Sequence, residues 1–261
     1  MHMKSGKAIF VSLLGLFIAG LVVVQARAEI APEARKVIDR AIKEMGGNAY
    51  LNMNSTSSTG RYFMFRKGRK AFTEYSDWTV YNPVKWRFQM GEGKRQFVQI
   101  YNLETNEGWT LDGKTDVEEM KPEDVEQFKK GVGLDVDVLL RYRLDEEGMN
   151  AYYYGPEDIA GTGTFEAVEF LDATNNSVVV FFNTKTGLPE KLESHFTDKA
   201  GVRHKREHEY YNWHVIQGVN LPLRHDIFVD EEVSEQQFVV DITVNPDLPD
   251  SLFTRPVVEE K

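Results

Sequence analysis

Residues 207–224 read EHEYYNWHVIQGVNLPLR, a pattern that predicts a strand, a tight turn and a second strand. The first arm holds aromatic and β-branched residues that suit a pleated, half-buried surface: Tyr210, Tyr211, Trp213, Val215 and Ile216. Gly218 supplies the turn, and Leu221 restarts the apolar run. Pro222 has no N–H for a neighbouring strand, so we expect it at the start of a strand or at a sheet edge.

The same pattern extends in both directions from this hairpin. Short apolar segments separated by Gly, Asn, Asp and Pro predict strands at residues 60–66, 71–81, 84–90, 96–102, 108–112, 151–154, 165–171, 178–183, 189–197, 223–229 and 238–244. The clearest is Val84–Met90, in which apolar residues alternate with polar ones. We therefore expect a mainly β (α+β) fold built on one large antiparallel sheet, with the function on one of its faces.

Helices are predicted at only two places. Residues 31–45 carry apolar side chains at helical spacing, with Pro32 in the first turn and Gly46-Gly47 at the end. Residues 122–144 predict two short helices, or one helix broken near Gly131 and Gly133, inserted into the sheet. Residues 52–59 are predicted as a connection, and residues 245–256 as a loop in which Phe253 packs as a plug. No linker interrupts residues 29–261, so we predict one domain.

The N-terminus predicts export. Lys4 and Lys7 precede an apolar run at residues 8–24, and the small residues Ala26 and Ala28 favour cleavage after Ala28 by signal peptidase. An uncleaved membrane anchor is the alternative. The sequence has no cysteine, which excludes disulfides, thiol chemistry and a lipid-modified N-terminal cysteine. Residues 1–28 hold three basic and no acidic residues, so 28 basic against 41 acidic residues remain, a net charge of −13. Such a protein should repel nucleic acid and anionic lipid surfaces over its general surface.

No catalytic set emerges from the motifs. His204, Glu207 and His208 fit the H-x-x-E-H pattern of zinc proteases, but that chemistry needs a helix, and on a strand Glu207 points away from both histidines. We expect these histidines to face solvent, with adventitious metal binding left open. The acidic clusters lack calcium-loop spacing. Residues 161–164 form a turn rather than a phosphate loop. We predict no enzyme, no cofactor and no metal site.

A family resemblance rests on four segments in order. They are Asn82-Pro83, Glu107-Gly108-Trp109, Thr186-Gly187-Leu188-Pro189, and Tyr211-Asn212-Trp213 leading to Gly218-Val219-Asn220-Leu221-Pro222. With the signal peptide and the helix ending in Gly-Gly, they resemble the periplasmic lipoprotein carriers (LolA/LolB-like) and, more specifically, outer-membrane lipoprotein-sorting-like proteins. The resemblance implies an unclosed half-barrel whose concave face is covered by helices and holds acyl chains. The basic residue that such carriers use for hand-over has no match here, so the resemblance does not name the cargo.

We therefore predict a monomeric periplasmic carrier or binding protein that shields lipid or lipoprotein acyl chains in an apolar trough. A membrane protein could act as donor or acceptor, and nucleic acid is excluded as a partner. Two alternatives stay open: a non-catalytic scaffold or partner-binding module with a filled core, and an enzyme with an unrecognised site. Strand alternation predicts the residues that line the trough: Trp86, Phe88, Met90, Phe97, Tyr101, Phe238, Val240 and Ile242. Phe97 and Tyr101 compete for that face with Val98 and Ile100.

Overall fold

The structure is a computed structural model that describes residues 28–66, 69–159, 161–198 and 200–258. The predicted signal peptide lies almost wholly outside these residues. Within them, none of the helices has the length and apolar character needed to cross a bilayer.

One sheet contains all fourteen strands of the described residues, which we number in chain order: β1 (Glu29–Ile30), β2 (Ser55–Arg66), β3 (Arg69–Tyr81), β4 (Val84–Met90), β5 (Phe97–Asn102), β6 (Glu107–Asp112), β7 (Asp116–Glu119), β8 (Asn150–Ile159), β9 (Gly163–Leu171), β10 (Ser177–Asn183), β11 (Pro189–Thr197), β12 (Arg203–Ile216), β13 (Val219–Val229) and β14 (Glu232–Val244). The spatial order is β1-β8-β9-β10-β11-β12-β13-β14-β2-β3-β4-β5-β6-β7. The first and last strands of this order do not pair, so the sheet is an unclosed half-barrel, as predicted.

The hairpin at residues 207–224 lies at the centre of this order and has the predicted form. Ile216 pairs with Val219 across a two-residue turn, in which Gln217 and Gly218 have φ of 50° and 84°. Positive φ at both turn residues is the geometry that matches the right-handed twist of paired strands. Pro222 pairs with Trp213 of β12, whereas pairing of β13 with β14 begins only at Arg224. The proline thus lies where its strand has a neighbour on one side only.

Helices cover one end of the concave face. They are α1 (Pro32–Glu44), α2 (Asn48–Leu51) and, after α3 (Pro122–Val132), which lies over the other end, α4 (Val136–Val138) and a π-helical turn (Leu139–Arg143). Helix α3 ends at the predicted glycine break, with Gly133 as its C-cap residue. Ala34, Ile38 and Ala41 of α1 are fully buried in a core that also contains Phe170 and Phe182 of the sheet. Burial of this apolar stripe, rather than helix propensity, is what stabilises a short helix such as α1.

The C-terminal segment covers part of the convex face. Its short 3-10 helix, Asp250–Phe253, brings Phe253 onto a cluster formed by Val98, Ile100, Trp109 and Leu111. Phe253 is 1% exposed, which confirms its predicted role as a plug.

Three features of the sheet differ from the sequence predictions. Residues 52–59 are not all connection, because β2 begins at Ser55, where buried Ser55, Thr56 and Ser58 pair with β3 and β14. The hydroxyl groups of Ser55 and Thr56 find partners: Ser55 Oγ donates to Pro246 O at 3.0 Å, and Thr56 Oγ1 lies 3.2 Å from Tyr81 Oη, so these polar residues can be buried in a strand. The short strand β7 was missed, and β1 pairs with β8 in parallel, so the sheet is mixed.

A β-bulge at Val240 changes the side-chain alternation of β14. Val239 lies opposite Gly60 and Asp241 lies opposite Thr59, which leaves Val240 without a partner in β2. An extra residue in one strand moves every following side chain to the other face. Phe238 therefore shares the convex face with Arg61, whereas Ile242 shares the concave face with Ser58.

Gly60 makes this bulge possible, and its replacement tests the arrangement. A Cβ at position 60 would lie 2.0 Å from Phe238 O and 2.8 Å from the Tyr75 ring. We expect Gly60→Ala to lower the free energy of unfolding by about 3 kcal/mol or more, because backbone atoms must move to admit a methyl group. The control is Gly131→Ala on α3, where an added Cβ meets nothing within 4 Å and Ala favours the helix. Equal urea midpoints for the two variants would contradict the bulge geometry.

Candidate functional site

The other end of the concave face encloses an open trough of about 1590 Å³. Strands β2–β6 and β11–β14 form its walls, and α3 lies across it. The larger apolar side chains in the lining are Tyr62, Met64, Trp86, Phe88, Met90, Phe97, Tyr101, Met120, Phe128, Leu134, Leu192, Phe196 and Ile227. The same sheet is thus filled at one end by helices and left open at the other.

Stacked aromatic rings form one wall of the trough. In β4 and β5 the residues that face each other across the strands share a face, so Trp86 meets Tyr101 and Met90 meets Phe97. The Trp86 and Phe88 rings stack with centroids 5.5 Å apart. Phe128 of α3 stacks on Tyr101 with a centroid distance of 3.8 Å. The helix is therefore held over the trough by ring contacts.

Five of the eight predicted lining residues lie in this wall: Trp86, Phe88, Met90, Phe97 and Tyr101. Their competitors Val98 and Ile100 are fully buried on the opposite face, under Phe253. That the five residues contact a ligand remains a prediction.

The structure does not place the other three predicted residues, Phe238, Val240 and Ile242, in the trough. Phe238 lies on the convex face against Phe63, with ring centroids 5.6 Å apart. Val240 is 74% exposed at the bulge. Ile242 is on the concave face but packs against the helix-filled core. Strict alternation along β14 was the wrong assumption, because the bulge resets it.

Sequence reasoning missed several lining residues, chiefly Tyr62 and Met64 of β2 and Phe128 of α3. In β2 the residues on both faces are apolar, since Tyr62 and Met64 alternate with Phe63 and Phe65. Alternation therefore does not show which pair faces the trough. The signal that identifies Tyr62 is its pairing with Gln237, which depends on the bulge.

A half-buried carboxylate lies within the aromatic wall of the trough. Asp77 accepts hydrogen bonds from Trp86 Nε1 at 2.6 Å and from Thr79 Oγ1 at 2.9 Å. Burial raises the pKa of Asp77 to about 6, and the two hydrogen bonds act in the opposite direction. The carboxylate satisfies the indole N–H and fixes the orientation of the Trp86 ring.

Two histidines lie in the opposite wall. His208 Nδ1 and His225 Nε2 are 3.0 Å apart, and the His225 ring stacks on Tyr210 with centroids 4.8 Å apart. Burial lowers the pKa of His225 to about 4. Burial, with the nearby His225 and Arg206, places the pKa of His208 well below its ordinary value. Both rings are neutral at pH 7.

The expectation that His204 and His208 both face solvent is therefore wrong for His208, which lines the trough. His204 instead contacts Asp230 at 2.6 Å and Asp198 at 3.3 Å. Glu207 lies on the other face and forms ion pairs with Lys191 and Lys205. Across the described ranges, no three or more His, Cys, Asp or Glu residues are grouped so that they could hold a metal ion.

Solved structures share this fold. A LolA superfamily protein from Nitrosomonas europaea is 15% identical, with a TM-score of 0.54 over 85% of this chain and 97% of that one. A putative outer membrane lipoprotein-sorting protein domain from Vibrio parahaemolyticus is 12% identical, with a TM-score of 0.55 over 84% and 96% of the two chains. A DUF1329 family protein from Desulfovibrio piger is 11% identical, with a TM-score of 0.57 over the same shares.

These likenesses confirm at the level of fold the resemblance read from the sequence. No protein-family model and no curated protein matches the chain.

The histidine pair makes stability depend on pH. The pKa of His225 is about 4 in the folded protein and about 6.5 in the unfolded chain, so the unfolded chain binds more protons between these values. This contribution to stability is complete above pH 6.5 and is lost as the pH falls towards 4. Asp77, whose pKa is raised, acts in the opposite sense over pH 4–6.

We expect His225→Gln to reduce the loss of unfolding free energy between pH 6.5 and pH 4.5 by on the order of 1 kcal/mol. Urea denaturation across this range measures it. The control, His214→Gln, changes an exposed histidine and should leave the slope unchanged. If the unfolding free energy of His225→Gln falls with pH as steeply as that of the wild type, the His225 ring is not buried in the neutral form.

Proposed function

We propose that this protein is a non-catalytic carrier or binding protein that shields an apolar ligand, and that the ligand is the acyl chains of a lipid or lipoprotein. The observation that carries the proposal is the open trough of about 1590 Å³ with its wall of stacked aromatic rings. A globular protein that needed only a core would have filled this space, because interiors pack at the density of organic crystals.

The physical basis is the hydrophobic effect. Burial of each CH₂ group contributes about 0.8 kcal/mol, so about ten buried methylenes contribute about 8 kcal/mol, which corresponds to a Kd near 1 μM. Such binding needs no catalytic group. The trough also favours the carrier over the alternative of a scaffold with a filled core.

The polar groups of the trough support a binding role rather than catalysis. Asp77 is engaged by Trp86 and Thr79, and Glu235 accepts a hydrogen bond from Tyr62. These carboxylates serve neighbouring side chains, and neither lies beside a nucleophile with a partner base.

A matched pair of charge insertions tests the ligand site. Met90→Glu places a carboxylate in the trough wall, whereas Val240→Glu places the same group on the outer surface. We expect Met90→Glu to weaken binding of a fluorescent fatty-acid probe to delipidated protein by at least about tenfold, because ligand binding would bury the charge. Val240→Glu should bind like the wild type.

Urea midpoints are measured for the same variants, so that a loss of probe binding can be distinguished from a loss of folding. Equal probe affinity in a folded Met90→Glu variant would contradict the trough as the site. A loss of probe affinity in a folded Val240→Glu variant would indicate that Val240 contacts the ligand, which would contradict the bulge geometry.

We further propose that the chain is exported to the periplasm and cleaved after Ala28. The charged start, apolar run and small residues at 26 and 28 support this. N-terminal sequencing of secreted protein should begin at Glu29. Retention of Met1 in membrane-bound protein would contradict cleavage and support the anchor.

A further inference from the structure

The hairpin of β2 and β3 projects beyond its neighbours in the sheet. Pairing between β3 and β4 begins at Tyr75, so Arg69 to Glu74 pair with β2 alone. On the other side, β14 pairs with β2 only as far as Met64, so Phe65 and Arg66 also lie beyond it. In this projecting hairpin, residues 61–74, Arg69 to Glu74 have no pairing with β4, and of the described residues only Phe65, Arg66, Arg69 and Lys70 at its tip form a two-stranded extension from the sheet.

The projecting hairpin is basic in an acidic protein. Its sequence contains five basic residues and one acidic residue, whereas the whole chain has a net charge of −10. Arg61, Arg66, Arg69 and Lys70 are exposed. Within the ranges that the structure describes, none of these four forms an ion pair. A local positive potential therefore stands out from a surface that otherwise repels anions.

Aromatic rings lie on the convex face of the hairpin, which Arg61 and Lys70 share, whereas Arg66 and its cross-strand partner Arg69 lie on the concave face. Phe63 and Phe72 are cross-strand partners with ring centroids 5.1 Å apart, and Phe72 is 56% exposed. Lys70 Nζ lies 4.4 Å from the centre of the Phe63 ring and 5.5 Å from that of Phe65. Exposed aromatic side chains beside Lys and Arg are typical of protein surfaces that enter the headgroup region of a bilayer.

The hairpin also borders the trough. Met64 and Arg66 are part of the trough lining, together with Arg203 and Arg206 from β12. The α1 helix covers the far ends of the strands, where Met45 O accepts a hydrogen bond from Asn220 N beside the β12–β13 turn. Arg66 therefore lies at the mouth of the trough, away from the helix-filled end.

We propose that the projecting hairpin docks on an anionic lipid surface, with Arg66, Arg69 and Lys70 at the headgroups and Phe72 inserted between them. This contact brings the mouth of the trough to the membrane. The occupant is inferred from charge complementarity and from the combination of cations with an exposed ring.

Protection of an edge strand is the simpler explanation of the basic residues, since lysine and arginine discourage edge-to-edge pairing. That explanation does not account for Phe72, because an exposed ring on a projecting hairpin promotes the association that the charges would prevent. Membrane docking uses both features.

Flotation of the protein with vesicles tests the proposal. Vesicles of phosphatidylcholine containing phosphatidylglycerol should bind the wild type, vesicles of phosphatidylcholine alone should bind it weakly, and salt should reduce the difference. The triple variant Arg66→Gln, Arg69→Gln, Lys70→Gln should weaken binding on the order of 100-fold, because each cation near an anionic surface contributes about 1 kcal/mol. Phe72→Ser should weaken it by roughly tenfold.

The matched control is Lys36→Gln, Lys43→Gln, Lys185→Gln, which removes the same charge from exposed positions outside the hairpin. It should retain most of the binding. Equal losses in the two triple variants would show a general charge effect and overturn the proposal. Absence of wild-type binding to both kinds of vesicle would also overturn it. So would a dimer in solution that Phe72→Ser dissociates, because the surface would then bind a second copy of the chain.

Vesicle binding and fatty-acid probe binding are measured separately, so the two proposals fail independently. Thermal unfolding of each variant confirms that any lost binding comes from a folded protein.

Discussion

A single curved sheet must keep two apolar faces from water, and this constraint governs the rest of the structure. The protein meets it with different elements on each face. Helix α1 and the helical insertion fill one end of the concave face, with Ile38 and Leu139 fully buried. The C-terminal segment covers the convex face of β5 and β6 through Phe253. The second half of the concave face is covered only in part, by α3, and that is where the aromatic trough lies.

Much of the fold could be predicted because local signals and long-range packing agree. Val84–Met90 has one apolar face, and the sheet places that face in the trough. The turn at Gln217-Gly218 and the glycine break after α3 carry their own conformational signals. Where the two levels disagree, prediction failed. Ser55–Arg66 begins with hydroxyl residues that resemble a loop, yet partners distant in sequence satisfy them.

The residues lining the trough could be predicted only where the local pattern agrees with the long-range packing. Alternation works on β4 and β5, which carry no bulge. On β14, one extra residue at Val240 reverses the faces, and its cause lies in β2, where Gly60 allows the backbone of Phe238 to approach. No signal in residues 232–244 marks this position. The contribution of α3 was also out of reach, because Phe128 reaches the trough only through the packing of its helix.

The position of Phe253 has a consequence for the order of folding. Residues of β5 and β6, synthesised before position 113, bury their outer face only when residues 248–258 arrive. The pairing of β2 with β14 likewise joins the start of the sheet to the end of the chain. Elements that depend on such distant contacts form late and expose apolar surface in the meantime. Under the export proposed above, in which the chain crosses a membrane unfolded, this delay would keep the polypeptide export-competent and would call for a holding chaperone until residues 248–258 emerge.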